Sequence, residues 1–99
     1  MASKIPIPEK QLAEICRKQH IKRLSFFGSF VRDDFGPDSD IDILVEFAKG
    51  MVPGLKFFSI QRELTELFGR QVDLNTPESL SPFYRDNILD EAKVLYVAA

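Results

Sequence analysis

The stretch FFGSFVRDDFGPDSDIDILVEF, residues 26–47, decides the fold. It holds five aspartates, Asp33, Asp34, Asp38, Asp40 and Asp42, and the last two interrupt an apolar run rich in β-branched residues. That run has the two-residue period of a strand. Ile41, Ile43 and Val45 leave one face of it, while Asp40, Asp42 and Leu44 leave the other. The isoleucine face is the one that meets helices, so the two carboxylates stand on a working face outside the main core.

Upstream, Leu24 and Phe26 fit a strand that ends at Gly28. Ser29 then opens a short helical turn, and Gly36-Pro37 closes it. Further upstream, Leu12, Ile15 and Cys16 recur at helical spacing, giving a helix over residues 8–19 with Pro8 and Glu9 in its first turn. Downstream, Gly50, Pro53 and Gly54 mark a loop. Phe57, Phe58, Ile60, Leu64, Leu67 and Phe68 then form the apolar side of a helix over residues 55–68, with Gly69 just past its end. RQVDLN reads as a short strand, with Val72 and Leu74 on one face and Asp73 on the other. Thr76 caps a turn that starts at Pro77. FYRDNILDEA is a last helix, and KVLYVA is a strand or a helical extension. The order α-β-(α)-β-α-β-α-(β) implies an α/β (α+β) domain, a mixed β-sheet covered on one face by helices.

The 99 residues suit one domain, 1–99. An apolar fraction of 44% supplies one core. A formal net charge of −2 argues against a domain built to grip a nucleic-acid backbone, so no strong nucleic-acid binding is expected. Basic charge is nevertheless clustered at Arg17, Lys18, His20, Lys22 and Arg23, as at a solvated helix end. The single cysteine, Cys16, lies on the helix's apolar side and reads as a small core residue. A nucleophilic role would need a base, and His20 is the nearest candidate. MASKIPIPEK lacks the apolar stretch of a secretory signal, and no apolar run is long enough to span a membrane. A cytoplasmic location is expected.

Two carboxylates on one strand face repel each other unless a cation lies between them, and an oxygen-only pair suits a hard cation such as Mg²⁺. Gly28-Ser29 at the end of the preceding strand lets a ligand approach the backbone, and free N–H groups at a helical start favour an anion. Arg32 lies one turn on, where it either faces the same anion or forms a surface salt bridge with Asp33 or Asp34. Asp73 joins Asp40 and Asp42 if its strand pairs beside theirs. Three carboxylates beside a phosphate-binding turn are the parts of a two-metal phosphoryl-transfer site.

GSFVR followed by SDIDILV, with a later lone carboxylate in VDL, resembles the minimal nucleotidyltransferases of the DNA polymerase beta superfamily. Ten residues, 30–39, separate Ser29 from Asp40. The resemblance runs from about Leu24 to Tyr96 and implies a polymerase-beta-palm-like nucleotidyltransferase fold. It implies that Gly28 and Ser29 hold the nucleotide's phosphates, with Arg32 a basic position after the turn and Ser39 the serine before the first aspartate. Asp40 and Asp42 match the carboxylates that bind two magnesium ions, and Asp73 matches the third, which binds the catalytic ion. Asp33 departs from the pattern, where many relatives have glycine.

Small members of this family are often encoded beside an all-helical HEPN-domain protein, typically an RNase toxin. The resemblance therefore implies an antitoxin that transfers AMP from ATP onto a hydroxyl of that partner. The alternative is a catalytically silent module that neutralises its partner by contact. Oligomeric state, homo- or hetero-, is left open by the sequence.

Overall fold

The computed structural model describes residues 7–31, 36, 39–51 and 53–98. The chain begins with helix α1 (Glu9–Lys18) and strand β1 (Ile21–Phe27), followed by a 3₁₀ turn (Gly28–Val31). Strand β2 (Ile41–Phe47), helix α2 (Lys56–Phe68) and strand β3 (Val72–Asn75) come next. A second 3₁₀ turn (Pro77–Ser79), helix α3 (Pro82–Glu91) and strand β4 (Lys93–Val97) complete it. The terminal segment KVLYVA is thus a strand.

The strands form a mixed sheet in the order β3-β2-β1-β4. β1 runs antiparallel to β2 and β4, whereas β2 and β3 are parallel. A parallel pair cannot be joined by a tight turn and needs a crossover, which α2 supplies. β2 is an interior strand, so Asp42 does not lie on a sheet edge.

The core lies between one sheet face and helices α1 and α2. Leu12 and Cys16 of α1, and Ile60 and Leu64 of α2, are buried at i, i+4 spacing. They meet Leu24, Phe26, Ile41, Ile43, Val45, Val72 and Leu74 from the sheet. Each fully buried aliphatic side chain of this kind contributes about 1.5–3 kcal/mol. Gly69 ends α2 in the left-handed conformation, φ 69°, with its N–H donating to the Thr65 carbonyl at 2.9 Å.

α2 also covers the outer edge of β3. The Val72 N–H donates to Thr65 Oγ1 at 3.1 Å, and the Leu74 N–H donates to Gln61 Oε1 at 3.1 Å. These two bonds satisfy main-chain donors that would otherwise template a foreign strand. Thr76 caps the second 3₁₀ turn as the sequence suggests, and the Ser79 side chain answers it to complete a reciprocal capping box.

The second face of the sheet differs from expectation. Leu44 shares the face of Asp42 yet is only 1% exposed, and its partner across β1, Ser25, is also buried. The chain after β3 returns over this half of the sheet, placing Pro77, Leu89 and Ala92 around a cavity with Ser25 and Leu44. The aspartate face is thus open at one end and roofed at the other.

Candidate active site

Asp42 and Asp73 face each other directly in the parallel β2–β3 ladder. Neighbouring strands lie about 4.8 Å apart, and register partners project to the same side, so the two carboxylates stand side by side. Asp73 is exposed and Asp42 half-buried. Asp40 lies one residue ahead of β2, exposed, and two residues from Asp42.

Gly28 completes the floor. Phe27 pairs with Asp42 across the β1–β2 ladder, so the residue after it reaches the Asp42 side chain. Gly28 has φ +69°, and a Cβ there would collide with Asp42 Oδ2. Glycine is required twice, for the left-handed backbone and for the space that the carboxylate fills. The backbone of Ser29 lies in the 3₁₀ turn that starts here. Arg32, Asp33, Asp34 and Asp38 lie outside the described residues.

The segment before Asp40 is held from two sides. The Gly36 N–H donates to Ser39 Oγ at 2.9 Å, and the Ser39 N–H donates to the Gly36 carbonyl at 3.1 Å. Ser39 therefore shapes its own loop, besides the nucleotide contact expected of it. Arg70, which the sequence reading passed over, donates through Nη2 to the carbonyls of both Gly36 and Ser39, each at 2.7 Å. The Ile41 N–H donates to the Gln71 carbonyl at 2.9 Å, fixing the start of the ladder. Arg70 thus ties the segment that carries Asp40 to the residues that introduce Asp73. Its position just before VDL is the one signal that sequence offers.

The donor set is all carboxylate oxygen, which suits a hard divalent cation. Among the described residues, no three carboxylate, thiol or imidazole side chains stand close enough together to hold a metal ion. Asp42 and Asp73 are the register pair, and exposed Asp40 lies two residues before Asp42 at the end of the preceding loop. Cys16 is fully buried in the core, and burial pushes its thiol up to about 12, so the Cys16–His20 nucleophile alternative has no support.

The model of the nucleotidyltransferase domain family matches residues 9–95. The chain is a nucleotidyltransferase domain. A protein from Methanocaldococcus jannaschii, named for protein adenylyltransferase activity, is 40% identical over 84 residues, covering 85% of this chain and 89% of the relative. The protein adenylyltransferase MntA of Thermococcus cleftensis is 36% identical over 85 residues, covering 85% of this chain and 82% of the relative. A chain from the solved complex of tri-AMPylated Shewanella oneidensis HEPN toxin with MNT antitoxin shares the fold, with TM-score 0.63 and 21% identity, over 91% of this chain and 70% of that one. The resemblance to the nucleotidyltransferases therefore holds at the level of family and fold.

Proposed function

We propose that this nucleotidyltransferase domain transfers AMP from ATP to a hydroxyl of a partner protein, a HEPN-domain toxin, and so acts as its antitoxin. The observation that carries the reading is the Asp42–Asp73 register pair, with Asp42 packed against Gly28. The names of the relatives support a protein acceptor, and the adenylylated toxin in the related complex supports the partner class.

In this reading Asp40, Asp42 and Asp73 would hold magnesium, which would supply charge neutralisation and polarisation at the α-phosphate. The Gly28-Ser29 turn takes the triphosphate, aided by Ser39; the phosphate contact that the family resemblance implies for Arg32 falls outside the described residues. The acceptor oxygen forms a bond to the α-phosphorus as the bond to the bridging oxygen breaks, and pyrophosphate leaves in line. Asp73, exposed beside Asp42, takes the acceptor's proton. Arg70 keeps Gly36 and Ser39 in place while this happens. Asp42→Asn removes one charge with almost no change in volume. Labelled ATP, magnesium and the partner toxin should give no labelled toxin with this variant at wild-type circular dichroism; labelling at the wild-type rate would sink the assignment.

Contact alone is a second reading, favoured by the apolar surface of α3, where Phe83 is 89% and Tyr84 63% exposed. Cells expressing the toxin discriminate the two. Full protection by Asp40→Asn plus Asp42→Asn would favour contact, and loss of protection would favour transfer.

A further inference from the structure

The basic run at Arg17–Arg23 is not absorbed by the carboxylate site, and the structure divides it into two groups. Lys18 is neutralised by Glu63 at 3.1 Å, and Arg23 by Glu46. Arg17, His20 and Lys22 are joined by Lys49 around a cavity of about 350 Å³. Among the described residues, none of these four makes an ion pair. The negative end of the α1 dipole accounts for a cation at Arg17. It does not account for Lys22 and Lys49, which come from β1 and from the turn after β2.

Two backbone irregularities build the rim. His20 has φ 58°, the single non-glycine with positive φ among the described residues. It is held there by hydrogen bonds, its N–H donating to the Arg17 carbonyl and its carbonyl accepting from the Ala48 N–H at 2.9 Å. Lys22 is an extra residue in the β1–β2 ladder, because the step from Ile21 to Arg23 faces the single step from Phe47 to Glu46. Such a bulge re-aims the side chain it inserts. The Lys22 carbonyl accepts from the Ala98 N–H at 2.8 Å, which brings the end of β4 against the same cavity. The floor is apolar, with buried Cys16 and Ile21 and the half-buried ring of Tyr96.

We propose that this cavity is a second site for a nucleoside phosphate, independent of metal and separate from the carboxylate pair. A simple inorganic anion would use the cations and gain nothing from Tyr96, Ile21 and Cys16. A wholly apolar ligand would leave four cationic or polar groups idle. A flat heterocycle bearing a phosphate uses both, with the base against the Tyr96 ring and the phosphate toward Lys22, Lys49 and Arg17. The volume lies at the lower end of small-molecule sites, roughly 300–1,000 Å³, which suits a single nucleotide unit. Ala48 lies six residue steps beyond Asp42 along β2 and its extension, so the two sites are about 20 Å apart. The unit comes either as free nucleotide or as the phosphorylated end of an RNA chain.

Calorimetry with the full chain in EDTA tests the site, because the carboxylate site has no bridging cation there. AMP should bind in EDTA, and Asp42→Asn should bind it as tightly as wild type. Lys22→Glu plus Lys49→Glu should weaken it at least roughly tenfold, through lost charge-assisted bonds. Lys49→Glu alone, in the exposed turn, should weaken it in the same direction. A 5′-phosphorylated oligoribonucleotide that binds more tightly than AMP identifies the RNA end as the source, and equal affinity identifies the free nucleotide. Absence of AMP binding in EDTA, binding unchanged by the lysine variants, or pyrophosphate binding as tightly as AMP would overturn the proposal. Loss of binding in Asp42→Asn alone would also overturn it. These outcomes are independent of whether the chain modifies a toxin.

Discussion

At the scale of single residues, the site depends on what is missing at one position and on a cation without a catalytic duty at another. Gly28→Ala adds a methyl where the Asp42 carboxylate lies and forces alanine to φ +69°. Strain of this kind costs of order 1–3 kcal/mol. The variant should melt earlier and lose the proposed AMP transfer, measured by thermal unfolding and by labelled ATP. Arg70→Ala removes the bonds to the Gly36 and Ser39 carbonyls without touching substrate. Misplacement of this scale lowers the rate about 10- to 100-fold. The loss should fall mainly on kcat, with a raised magnesium requirement, and Arg70→Lys should restore part of it. Cys16 gives a pH prediction. Its thiol is pushed up to about 12 in the fold from an ordinary value of 9.0, so the unfolded chain ionises first as pH rises. Stability contributed by the protonated thiol is complete below about 9 and is lost progressively between about 9 and 12. Urea midpoints across that window should fall less steeply for Cys16→Ala than for wild type.

At the scale of elements, legibility follows the range of the interaction. Asp42 and Asp73 can be read because each sits between apolar residues on a strand, and alternation is a local property. The α2 helix can be read from its apolar stripe and from Gly69. The parallel register that makes Asp42 and Asp73 partners is set by the α2 crossover, and sequence offers it only as a condition. Arg70 is harder to find because its partners are main-chain carbonyls 34 and 31 residues away, and a carbonyl carries no residue-type signal. The burial of Leu44 is equally non-local: alternation assigns it to the aspartate face, and the return of the chain through Pro77 and α3 covers it. Elements tied by α2 should respond together. Leu64→Ala is expected to cost about 2–5 kcal/mol through lost burial and a residual cavity. Thr65→Val strands the Val72 N–H and is expected to cost about 1–3 kcal/mol. Denaturant midpoints measure both, and Thr65→Val should also speed hydrogen exchange at Val72.

At the scale of the molecule, the sheet separates two chemistries along its strands. One end of β2 carries carboxylates, and the other opens toward the cations around the end of α1. The core lies between them and holds both ends in one frame, so a ligand at either end stabilises the whole fold by mass action. Magnesium and ATP at about 100 times their apparent Kd should add roughly 2.7 kcal/mol. For a domain of about this size, that corresponds to a rise in Tm of roughly 10–20 °C. The increment from magnesium should vanish in Asp42→Asn, because the variant keeps the core and loses the charge that the cation requires. AMP in EDTA should still raise the Tm of that variant through the basic cavity, and the lysine variants should show the reverse pattern. Two ligand shifts that can be removed one at a time would show that the ends act as separate sites. A shift lost entirely in Asp42→Asn would reduce the molecule to one.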